Sequence, residues 1–224
     1  MLIVFDERSM LSVNENVDLH KGFLREFINE TNCSGVIADV YRARDLEDID
    51  ISQYKLIVFA YNLFMDDKTR QIVKSVSEDK MIVFNYTAGI HSEDGFSYEN
   101  FEELTHHKIT EIKSEGVQYD FPEINVEKMS GKNMVVLNNP YLRANEIREL
   151  AKSAGCHVYT DTPDVTIYAD NRFVGVFNKN AGGHLYLREK SDYRDLISGI
   201  VFRNTSDIAL PKKNKSALFL IKEN

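Results

Sequence analysis

Residues 81–95 read MIVFNYTAGIHSEDG. An apolar run, 81–84, stops at a small polar turn, and a helix-like pattern begins a few residues later. In α/β hydrolytic enzymes a strand-to-turn elbow of this kind carries a serine or cysteine nucleophile at its tip. Here the tip offers Tyr86, Thr87, Ala88 and Gly89. The outline is that of an elbow, and its reactive atom is in question.

Upstream, the same kind of run recurs as LIVF at 2–5 and KLIVFAY at 55–61. Between these runs lie amphipathic stretches. A helix fits 17–31, with Val17, Phe23, Leu24, Phe27 and Ile28 on one stripe. GVIADVY at 35–41 alternates like a strand, and Asp66 is a good N-cap for a helix over 67–77 that turns Ile72, Val73 and Val76 inward. Apolar strands without alternation, separated by such helices, predict a parallel sheet covered on both faces. Right-handed crossovers then bring the carboxyl ends of the strands to one edge. That edge displays Asp6, Glu7, Tyr61, Asn62 and the turn over 85–94, which includes His91. Ligand sites of open α/β sheets lie along it.

Downstream of the elbow, a short helix fits 97–106 and the polar segment 108–130 reads as a pair of short strands. NMVVLNN at 133–139 resumes the buried pattern. Asn139 and Pro140 open a further helix that Gly155 closes, and HVYT at 157–160 reads as a strand. From Asp164 the turn chemistry of Asp170 and Asn171 and of 178–183 marks a meander, and SALFLIKEN ends the chain as a strand. The fold class is α/β, a three-layer flavodoxin-like domain with a mainly parallel sheet. Its expected extent is 1–190, followed by a small C-terminal β segment over 191–224.

The 224 residues suit one such domain with an appendage, and 43% hydrophobic residues supply its core. A net charge of −8 argues against a nucleic-acid partner. No apolar run is long enough to span a bilayer. The start, MLIVFDERSM, lacks the basic, long-apolar character of a secretion signal. The reading is a cytoplasmic protein, or a domain cut from a longer polypeptide whose own start would decide its location. Cys33 and Cys156 are too few for a disulfide framework or a structural zinc site, and read as unbridged structural thiols. Lys212, Lys213 and Lys215, beside Pro211, read as a solvated turn.

Most cofactor chemistry lacks its motif. No G-x-G-x-x-G follows the first strand and no P-loop occurs; DERSM would put carboxylates where a phosphate needs bare N–H groups. No cofactor is expected. His106 and His107 are adjacent, and His20, His91, His157 and His184 are scattered, so no metal site is expected either. Asp6, Glu7, Glu93 and Asp94 can approach one edge, where they read as a glycosidase pair or as ordinary strand-end acids. Thr87 carries a hindering methyl, and Tyr86 is suited to bind a ligand but not to attack one.

The layout resembles class I glutamine amidotransferase-like domains, whose nucleophile follows G-x-C-x-G. The similar stretch is Asn85-Tyr86-Thr87-Ala88-Gly89, with threonine in the cysteine position, and the partner His-x-Glu has no convincing match. Within that superfamily the chain is most similar to the domain that follows the barrel in β-galactosidase-type glycoside hydrolases, often called the trimerisation domain. The similarity runs through VFDERSM, DVYRARDLEDIDISQYKLIVFAYNLFMD, FNYTAGIHSEDGFSYENFEELTHHKI and AGCHVYTDTPDVTIYADNRFVGVFNKNAGGHLYLRE. DLISG and SALFLIKE resemble the small β-domain that ends those enzymes.

The resemblance implies a non-catalytic accessory and oligomerisation domain, with the hydrolytic carboxylates on a separate (β/α)8 barrel of the same parent polypeptide. A barrel needs about 250 residues, which this chain has no room for. Its implied partners are that barrel, further copies in a trimer, and carbohydrate. Tyr61, Asn62, Tyr86 and His91 then face sugar, or serve as interface and core-edge residues. Two other readings stay open: a stand-alone hydrolase working around Thr87 or the edge carboxylates, and a stand-alone sugar-binding module.

Overall fold

The buried runs pair as parallel strands. In the computed structural model, which describes residues 1–13, 20–76, 79–113, 116–119, 134–180 and 182–221, β1 (Leu2–Phe5), β2 (Asp39–Arg42), β3 (Leu56–Tyr61) and β4 (Met81–Asn85) appear in chain order. After them come two hairpins, β5 (His91–Ser92) with β6 (Gly95–Phe96) and β7 (Ile109–Lys113) with β8 (Gly116–Tyr119), and then β9 (Met134–Leu137). The sheet order is β2-β1-β3-β4-β9, every neighbouring pair parallel. This is the flavodoxin-like order, whose switch point lies between the first and third strands.

Register explains the stability of the sheet. Val4, Phe59, Phe84 and Val136 form one row across four strands, and Leu2, Ile57, Ile82 and Met134 form another. Both rows belong to one cluster with Val73 of α2 (Asp67–Ser75) and with Phe101 and Leu104 of α3 (Tyr98–Thr105). The opposite face, with Ile3, Val58 and Val83, is buried as well. The two helices start where expected, Asp66 accepting from the Thr69 N–H (2.8 Å) and Ser97 from that of Glu99 (3.0 Å).

The chain divides into two compact units, Met1–Phe27 with Ala38–Leu142, and Ile28–Ile37 with Arg143–Asn224. The parallel sheet is the core of the first. In the second, β10 (Val165–Ala169), β11 (Phe173–Asn178), β12 (His184–Asp195), β13 (Val201–Ala209) and β14 (Lys215–Ile221) make an antiparallel sheet of order β10-β11-β14-β12-β13. Alternation turns Val165, Ile167, Val174, Val176, Leu185 and Leu187 onto one buried face. Residue 190, where the domain boundary is expected, lies inside β12, because strands before and after it share this sheet.

Three local expectations are corrected. The helix expected from Asn139 and Pro140 is α4 (Ala144–Ser153). The Pro140 carbonyl accepts from Asn85 Nδ2 (2.6 Å), while Glu146 accepts from the Arg143 N–H (2.7 Å) and Glu30 from that of Ala144 (2.6 Å). HVYT is not a strand: Tyr159 donates to Gly35 and accepts from Tyr186 as single bonds without a ladder. The helix over 17–31 is a π turn, Lys21–Glu26, running into α1 (Phe27–Asn32). That change of pitch leaves Leu24 and Ile28 exposed while Phe23 and Phe27 are buried. Val17 and the rest of 14–19, like 120–130, lie outside the described residues.

Cys33 and Cys156 are not bridged. Among the described residues no helix is long and apolar enough to cross a membrane.

A buried carboxylate closes the β12–β13 turn. Asp195 accepts from the N–H groups of Ile197 (3.1 Å), Ser198 (3.2 Å) and Leu218 (3.1 Å) and from the Ser198 hydroxyl (2.5 Å). Burial opposes its ionisation, but these donors outweigh it and hold its pKa below the ordinary value of 3.8. Its stabilisation is therefore complete above that unfolded value and is lost as pH falls through the lower folded value. Asp195→Asn, which turns an NH2 toward N–H donors, is expected to cost about 1–3 kcal/mol in denaturant melts at neutral pH. The variant should also lose part of the acid slope below pH 3.8.

Candidate functional site

The carboxyl ends of β1, β3 and β4 meet at the switch point, and the residues expected there do converge. After β1, Asp6 is 1% exposed, and its N–H donates to the Tyr61 carbonyl at the end of β3 (2.9 Å). Its carboxylate is already engaged. Oδ1 accepts from the Arg8 N–H (2.9 Å) and from Arg8 Nε (2.9 Å), and Oδ2 accepts from Nη2 (2.5 Å). Nη2 of Arg8 also reaches Asp66 Oδ2 at 2.9 Å, and the guanidinium lies 4.3 Å above the Phe64 ring centroid. Burial opposes ionisation of Asp66, but the Thr69 N–H and Arg8 prevail and hold its pKa below the ordinary value. Two carboxylates from different strand ends thus share one cation, an arrangement for locking loops together.

The other acids lie apart from this network. Glu7 pairs with Arg44 on the surface at 3.3 Å. Glu93 and Asp94 are exposed in the turn between β5 and β6.

The aromatic side of the edge is also self-contained. The Tyr61 hydroxyl bonds His20 Nδ1 (2.7 Å), and its ring stacks on Phe23 with centroids 4.5 Å apart. Burial pushes its pKa up to about 12. Tyr86 meets Phe23 edge to face at 5.9 Å, and burial raises its pKa too. His91 Nδ1 bonds the Ser12 hydroxyl (2.8 Å), its ring edge meets Phe64, and its backbone pairs with Leu63 and Met65. The histidines of this edge are therefore held by Tyr61 and Ser12.

The elbow exists, but its strained position is one residue earlier than the sequence pattern places it. Tyr86 has φ +56°, a left-handed value that strains a residue with a side chain, and the buried Thr87 follows it. A tyrosine whose ionisation is opposed by burial is a weak nucleophile. Asn62, beyond β3, is 1% exposed; its carbonyl accepts from the Gly89 N–H (2.7 Å), while both atoms of its side-chain amide are unpartnered.

Sequence reasoning passed over Arg8, Ser12, Phe64 and Arg70. Arg70, from α2, donates to the carbonyls of Met65 (3.3 Å), Gly89 and Asn100 (2.9 Å), so one half-buried guanidinium fastens three segments around the elbow. Only its position on the amphipathic helix was visible in advance. Among the described residues, no group of three His, Cys, Asp or Glu side chains is placed to hold a metal ion.

No family model matches this sequence, and no curated protein matches it. Solved structures do. A β-galactosidase from Bacillus circulans sp. alkalophilus superposes with a TM-score of 0.69 at 12% identity, over 99% of this chain and 41% of the other. A catalytic mutant of Gan42B, a GH42 β-galactosidase from G. stearothermophilus, gives 0.66 at 14% identity, over 99% and 40%. The apo exo-carrageenase GH42 from Bacteroides ovatus gives 0.51 at 15% identity, over 100% and 29%. At such identities the likeness establishes a shared fold. The chain spans about two-fifths of the length of the two β-galactosidases.

Two substitutions test how the elbow is held. Arg70→Met strips the donor from three carbonyls and is expected to cost about 2–3 kcal/mol in urea melts. Gly89→Ala forces a side chain into φ +74° with its Cβ 2.5 Å from Leu104 Cδ2. It should cost at least about 1 kcal/mol by the same measurement.

Proposed function

We propose that this chain is a non-catalytic accessory and oligomerisation domain of a larger, β-galactosidase-like glycoside hydrolase. In this reading it is a class I glutamine amidotransferase-like domain that has lost its cysteine. The observation that carries the proposal is the coverage of the structural likeness: 99% of this chain against 41% and 40% of the two β-galactosidases. A fold that occurs inside a longer enzyme has the rest of that enzyme as its natural partner, here a catalytic (β/α)8 barrel.

The chemistry of the edge supports the same reading. Asp6 and Asp66 are spent on Arg8, and the elbow tip carries Tyr86 and Thr87 where a nucleophile would stand. Self-association as a trimer is the expected mode of assembly, and Tyr61, Tyr86 and His91 act by shaping this edge. Because Ser12 is hydrogen-bonded to His91, a hydroxyl nucleophile beside an imidazole is the specific rival to be tested.

The purified chain should not hydrolyse p-nitrophenyl β-D-galactoside above the buffer rate, and light scattering should give a mass of three chains. Hydrolysis that disappears in Ser12→Ala or Thr87→Ala would overturn the non-catalytic reading. A strictly monomeric mass at high concentration would overturn the assembly role.

A further inference from the structure

Asn62 and Asn85 lie at the carboxyl ends of adjacent central strands, each 1% exposed. Their hydrogen bonding is incomplete in a complementary way. Asn85 Nδ2 spends both hydrogens, on the Ala60 carbonyl (3.1 Å) and the Pro140 carbonyl (2.6 Å), which leaves its Oδ1 unpartnered. Asn62 has neither Nδ2 nor Oδ1 partnered. One residue beyond β9, Asn138 has a further unpartnered buried amide oxygen.

The backbone places these residues side by side at one end of the sheet. Phe59 of β3 is registered with Phe84 of β4, so Ala60 lies beside Asn85, and the Asn85 amide reaches back to the Ala60 carbonyl. Two residues on, the Asn62 carbonyl accepts from Gly89, where the elbow that starts after Asn85 ends. Asn85 is in turn registered with Leu137, which precedes Asn138. Buried amide atoms are rarely left unpaired, because each forfeits the hydrogen bonds it made to water in the unfolded chain.

We propose that the elbow encloses a binding site for one neutral hydroxyl oxygen, held by Asn62 and Asn85. The unmet groups define its chemistry. The amide oxygens of Asn62 and Asn85 require a donor, and Asn62 Nδ2 requires an acceptor. A carbonyl cannot donate, and an anion would be repelled by the Asn85 oxygen. A hydroxyl donates to one of the two oxygens and accepts from Asn62 Nδ2, and a water, with its second hydrogen, serves all three. Its source is an internal water or one hydroxyl of a polyol.

The decisive variant is Asn62→Leu, of similar volume and unable to hydrogen-bond. If the site is filled, the leucine displaces a partner that satisfied two of these polar atoms as a polyol hydroxyl or three as a water, and the melting temperature falls by roughly 2–4 °C or more. If it is unfilled, the leucine removes an unpaired buried amide, and the melting temperature rises, which would contradict the proposal. A second readout does not depend on the variant folding. In the wild-type chain, ¹⁵N-edited rotating-frame spectra should show cross-peaks between the Asn62 side-chain amide and a long-lived water; their absence, with no polyol effect, would also contradict it. Melting in glycerol separates the two sources: a larger rise for wild type than for Asn62→Leu identifies a polyol hydroxyl, and equal rises with water cross-peaks identify water. A difference between the two proteins that follows potassium concentration would replace the hydroxyl by a cation and overturn the proposal.

Discussion

The parallel sheet rests on register. Val4, Phe59, Phe84 and Val136 stand side by side across β1, β3, β4 and β9, with Phe59 and Phe84 stacked at 5.4 Å. A slip of one residue on any of these strands would turn its apolar row to the other face. Since all the strands run the same way, fixing the rows also fixes where every strand ends. Asp6, Asn62 and Tyr86 owe their proximity to that constraint. The loops that follow are then tied down by two cations, Arg8 between Asp6 and Asp66, and Arg70 on three carbonyls.

This edge has the placement of an active site and the bonding of a structural joint. Ligand sites of this fold open outside the strand ends at the switch point. Here that position holds an ion-pair network of the chain's own side chains. A catalytic edge keeps a nucleophile and a base within reach of each other and of a substrate. Tyr61 and His20 hold each other, and His91 is drawn to Ser12. The first of these pairs has no activated nucleophile; the second is the one serine–imidazole contact described at this edge, which the Ser12→Ala assay addresses.

Much of this was legible in the sequence. Continuous apolar runs marked β1, β3, β4 and β9, because a strand buried on both faces leaves no room for alternation. Asp66 announced its helix through cap chemistry. The position of the elbow was legible too, but the residue forced to positive φ was not: the pattern puts Thr87 at the tip, whereas β4 ends at Asn85 and Tyr86 takes the positive φ. HVYT has strand composition, yet its backbone makes single bonds to Gly35 and Tyr186, distant in sequence. Arg8 with Asp66 joins residues 58 positions apart, and no local pattern carries such a pair. Residues 184–195 lose their alternation in the middle, beside the expected boundary at 190, and only their pairing with both β13 and β14 reveals one strand that binds the meander and the chain end into one sheet.

The proposed function places this chain inside a longer polypeptide. An antibody raised against residues 134–221 and used on extracts of the source cells measures the mass of the natural polypeptide directly. The account predicts a band far above 25.8 kDa, large enough to include a catalytic barrel. A single band at 25.8 kDa would contradict it.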